Sequence, residues 1–99
     1  MDKRKEVLLL TAIALGYKYG NYKLDLDDKY IDDEEVTNCQ FKLYMLLLTA
    51  KKEEQDKLFV EFEESYKLLS KEKQEYIRED LKKIFEEQDK NNKEKEKKL

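Results

Sequence analysis

The chain has 99 residues, with 21 lysines and arginines against 24 aspartates and glutamates, no histidine, no proline and one cysteine. That length makes one domain with a thin core. The composition excludes a disulfide-stapled scaffold, removes the imidazole on which most acid–base and metal chemistry at neutral pH leans, and concentrates no basic charge for nucleic acid.

The first element spans residues 3–19. Val7, Leu8, Leu10, Ala12, Ile13, Ala14 and Leu15 cover more than one side of a helix, so this helix is expected to be buried on several sides or shared across a homodimer interface. Lys3-Arg4-Lys5 ahead of that run imitates the start of a secretory signal. However, Asp2 and Glu6 interrupt the basic end and the apolar run is short, so the segment reads as a retained helix of a cytoplasmic protein. No stretch reaches the roughly 18 apolar residues of a membrane span. Gly16 or Gly20 supplies the helix stop, because glycine adopts the left-handed conformation without steric cost.

Residues 17–26 admit two readings. Tyr17-Lys18-Tyr19 and Tyr22-Lys23-Leu24 alternate around Gly20-Asn21, a short-hairpin signal. In the other reading the helix runs to Tyr19, is capped at Gly20, and leads into an irregular loop. A lone hairpin is marginal without packing support, which favours the loop.

Residues 25–35 carry Asp25, Asp27, Asp28, Asp32, Asp33, Glu34 and Glu35 against Lys29 alone. Set on a calcium loop of the helix–loop–helix type, Asp25 and Asp27 fit the first ligand positions. Lys29, Tyr30 and Val36 then fall where a ligand, the glycine and the bidentate glutamate belong, so no metal is expected. The end of the block doubles as a helix start, with Asp32 or Asp33 as cap and Glu34 and Glu35 in the first turn.

The second helix is expected over 34–52. Val36, Cys39, Leu43, Leu46, Leu47 and Ala50 follow helical spacing, and Phe41, Tyr44, Met45 and Leu48 add bulk on the other sides. A helix apolar all round belongs at the centre of a bundle. The polar patch 51–56 is expected to separate it from a third helix bearing Leu58, Phe59, Phe62, Tyr66 and Leu69. Ser70 caps a fourth helix over 71–89, with Tyr76, Ile77, Leu81, Ile84 and Phe85 on one stripe. Its remaining faces are charged. Residues 90–99 have no apolar face and read as a disordered charged tail. The expected fold is all-α: one helical domain over 1–89 made of about four helices.

Three features bear on function. Cys39 lies on the apolar stripe, lacks a histidine base, and reads as a small buried residue rather than a nucleophile. Lysines on the fourth helix are interleaved with acids, unlike a helix that enters a nucleic-acid groove. Tyrosines crowd the acidic block, and tyrosine is enriched where proteins bind one another. The sequence therefore points to a non-enzymatic protein-binding module without cofactor, an inhibitor, immunity or regulatory factor. Its Lys, Glu, Asn and Ile richness suits an AT-rich bacterial, phage or mobile-element genome. Tyr19, Tyr22 and Tyr30 would anchor a protein partner with a basic surface, and Asp25, Asp27, Asp28, Asp32 and Asp33 would steer it. The alternative is a small helical DNA- or RNA-binding regulator.

Overall fold

A computed structural model describes the backbone of residues 3–20 and 22–97 and the side chains of 3–20 and 22–86. Four helices follow in order: α1 (Lys3–Tyr19), α2 (Glu34–Leu48), α3 (Lys52–Lys67) and α4 (Lys71–Lys97). No strand occurs among the described residues, so the hairpin considered at 17–26 does not form. α4 continues to Lys97, past the end expected at 89 and into the stretch expected as a charged tail, and the side chains of 87–99 lie outside those described.

The loop reading of 17–26 holds, and the two glycines divide the work. Gly20 has φ 90° and its N–H donates to Gly16 O at 3.0 Å, closing the last turn of α1. Gly16 sits inside the helix for a different reason. A Cβ there would lie 2.7 Å from the backbone oxygen of Tyr22, because the chain folds straight back onto α1 after Gly20. The connection then proceeds by aspartate-stabilised turns: Asp25 Oδ1 accepts from Asp27 N–H and Asp28 Oδ1 from Tyr30 N–H, both at 2.9 Å.

Asp33, in extended conformation, caps α2 by accepting from Val36 N–H at 3.0 Å. The helix stops at Leu48, short of the expected 52. Thr49 is extended (ψ 130°) while its N–H and hydroxyl both bond Met45 O, and Gln55 Nε2 donates back to Thr49 O at 2.6 Å. A threonine hydroxyl competing for the carbonyl of the preceding turn thus ends the helix without glycine or proline. The polar patch 51–56 becomes the first turn and more of α3 rather than a separate spacer. Ser70 caps α4 as expected, its Oγ accepting from Lys73 N–H at 3.3 Å.

α2 packs against α1, α3 and α4 and is the central helix. Its Val36, Cys39, Leu43 and Tyr44 meet Leu8, Ala12 and Leu15 of α1, and Ile77 and Ile84 of α4, in one core. α3 contributes no fully buried residue and covers α2 from the outside with Phe62 and Tyr66. Leu69, in the α3–α4 junction, plugs the core from that end.

Candidate interaction surface

The tyrosines expected to face a partner are mostly folded inward. Tyr22 is 6% exposed and belongs to the core; its hydroxyl donates to Asp80 Oδ1 at 2.5 Å and lies 2.6 Å from that of Tyr44. Tyr22 is therefore not an anchor for a partner, because the return of the chain over Gly16 carries its ring between α2 and α4. Tyr19 is half-buried, stacked edge-on against Phe85 at 6.1 Å, with its hydroxyl donating to Leu47 O at 3.0 Å. Tyr30 is half-buried against Tyr76, ring centroids 4.9 Å apart.

Two of the five expected steering aspartates are ion-paired within the fold. Asp32 pairs with Lys5. Asp33, already the α2 cap, meets Lys73 Nζ at 2.7 Å; that ammonium holds its carboxyl below the usual range, with the Val36 N–H adding to the effect. Asp28 is half-buried beside Tyr76, and burial followed by this carboxylate pushes the Tyr76 phenol up. Asp25 and Asp27 remain exposed. The acidic block thus docks the connection onto α1 and α4, with Asp25, Asp27 and the ion-paired Asp32 still exposed.

Two side chains that the sequence did not single out complete an internal polar cluster. Asp80 on α4 is buried, and its carboxylate accepts from Tyr22, from Tyr44 and from Gln40 Nε2 at 3.3 Å. Burial, reinforced by the Asp80 charge, drives both phenol pKa values far above the ordinary range, so both stay protonated donors. The cluster ties the connection, α2 and α4 together. Its groups bond one another, and none faces a cleft. Cys39 is likewise sealed in the core, where burial pushes its thiol up to about 11.

Leu26, Phe59, Val60, Leu68 and Phe85 are exposed on other segments, and an exposed apolar row lies on α1. The helix buries Leu8, Thr11, Ala12 and Leu15 against α2 and α4. On its opposite side Val7 is 43%, Leu10 66%, Ile13 48% and Tyr17 89% exposed. These positions follow helical spacing, so they form one face. The face runs into a groove of about 800 Å³ between the N-terminal halves of α1 and α2, floored by Val7, Leu8 and Phe41 and edged by Arg4, Glu34 and Lys73. The apolar excess of this helix is visible in the sequence. What the sequence could not say is which of its two stripes the bundle would take.

Among the described residues, no three His, Cys, Asp or Glu side chains gather as a metal site, and no helix is long and apolar enough to cross a membrane. Comparison with protein-family models, with curated proteins and with solved structures finds no match.

Proposed function

We propose that this chain is a non-enzymatic protein-binding module of the inhibitor, immunity or regulatory kind, and that its contact surface is the outward face of α1 with the adjoining groove. The carrying observation is the exposed apolar row Val7, Leu10, Ile13 and Tyr17 on a helix whose other side is already packed. A contiguous apolar patch of this kind is the usual mark of a protein contact. The absence of histidine from the sequence and the internal use of the Tyr22–Tyr44–Asp80 cluster fit a role exercised by shape. Exposed Asp25 and Asp27 sit beyond the end of α1 and would add a modest steering term toward a basic partner.

The test is a binding comparison between the wild-type chain and Leu10→Asp, with circular dichroism as the control for folding. Wild type should retain a protein partner that Leu10→Asp loses. Equal retention by both would reject α1 as the contact surface. Replacing Asp25 and Asp27 with Asn should slow association by a few-fold and flatten its salt dependence, leaving dissociation unchanged.

A further inference from the structure

We infer that the outward face of α1 pairs with the same face of a second copy of this chain, the two helices antiparallel about a two-fold axis. This rests on the reading of α1 as a protein-contact surface: a second copy covers that face in the free protein, and a foreign partner binds there by displacing it.

Val7, Leu10, Ala14 and Tyr17 are spaced three, four and three residues apart, which is the seam spacing of paired helices. Residues 7–17 contain no charged side chain. Of the charges before and after this stretch, Arg4 turns toward Glu34, Lys5 to Asp32 and Lys18 to the carbonyl of Leu47, while Lys3 and Glu6 stay exposed at its N-terminal edge. Contacts between different proteins are about as polar as any surface, whereas homodimer contacts are the more apolar class with charge depleted at their centre. The α1 face belongs to the second type.

Area supports the same occupant. Val7, Leu10, Ile13 and Tyr17 together present on the order of 450 Å². With half-buried Leu9 and Ala14 and the edge of the groove at Phe41, each copy presents on the order of 600 Å², the low end of the range for a specific interface. That is a modest contact, and its affinity is set by packing and preorganisation rather than by area, so the pairing is tested over a wide concentration range. Antiparallel order sets the helix dipoles favourably. With Leu10 across from the partner's Ala14, Val7 falls across from the partner's Tyr17, so a bulkier residue meets a smaller one at each step. A two-fold contact closes on itself, which limits the assembly to two chains.

Sedimentation equilibrium of the full chain from about 1 to 300 µM tests the pairing. The expected result is a mass rising from 12.1 kDa toward twice that value, while Leu10→Asp, with unchanged helicity, stays at the lower mass. If Leu10→Asp loses helicity, Tyr17→Asp at a fully solvated position gives the same reading without touching the core. The double variant Leu10→Cys with Ala14→Cys should oxidise to a covalent dimer faster than either single variant. Single variants that cross-link as fast would overturn the antiparallel order. A wild-type mass fixed at 12.1 kDa across the range overturns self-pairing altogether, as does a dimer that persists in both aspartate variants. Capture of a foreign protein by a strictly monomeric wild-type chain, abolished by Leu10→Asp, would reject self-pairing and keep α1 as the contact surface.

Discussion

Asp80 looks, in sequence, like one more acid on a helix that alternates Lys and Glu. In the fold it accepts hydrogen bonds from two phenols and a carboxamide that arrive from the connection and from α2. A buried carboxylate is tolerated only with such donors, since stripping them leaves an uncompensated charge. Tyr44→Phe keeps the ring and removes one donor, so unfolding free energy from urea titration should fall by about 1–3 kcal/mol. An unchanged midpoint would mean that the hydroxyl contributes no bond. The same cluster explains why Tyr22 escaped the sequence reading: spacing marks a tyrosine as amphipathic, but a partner 58 residues away in the chain decides whether its hydroxyl meets water or a carboxylate.

At the scale of elements, helix ends are satisfied by groups from neighbouring segments as much as by their own caps. α2 has no basic residue in its last turn, and α1 supplies the missing donors: Lys18 Nζ at 2.6 Å and Tyr19 Oη at 3.0 Å both reach Leu47 O. Gly16 shows tertiary contact overriding helix propensity. Replacing a helical glycine with alanine ordinarily gains about 1 kcal/mol, yet here the added methyl meets the Tyr22 carbonyl. Gly16→Ala should therefore lower the melting temperature, and a rise would show that the returning chain yields easily. α3 presents the opposite case. Lys51 occupies its N-cap without a side-chain bond, and a cation there opposes the helix dipole. Lys51→Asp should stabilise the protein by about 0.5–1 kcal/mol in the same titration. No gain would indicate that α3, which buries no residue fully, frays at this end regardless of its cap.

For the whole molecule, the acidic block serves to close the bundle. Asp33 to Lys73 and Glu72 to Lys29 bind the connection to the first turn of α4. The ammonium partner in each case holds the carboxyl below its ordinary value. A carboxylate whose native pKa is depressed stabilises the fold above its unfolded value, near pH 4, and loses that contribution as pH falls through the native value. Thermal unfolding should accordingly be level from about pH 5 to 8 and drop steeply below pH 4. Asp33→Asn combined with Lys73→Met should lower the plateau and shrink the acid-induced drop, whereas an identical drop would place the acid sensitivity elsewhere. The arrangement also leaves the molecule asymmetric, with α2 at the centre and α1 apolar on both sides.

The sequence by itself determined the helical class, the span of α1, the starts of α2 and α4, the central place of α2, the burial of Cys39 and the cap at Ser70. These follow from the 3.6-residue period and from short-range capping chemistry, which lie within a few residues of one another along the chain. Tertiary structure alone decided where α2 would end, which tyrosines would be enclosed, that Asp32 and Asp33 would be paired, and which stripe of α1 would stay in water. Those outcomes depend on groups brought together from distant parts of the chain. Local periodicity records that a side chain prefers burial, but the surface that buries it is set only when the helices pack.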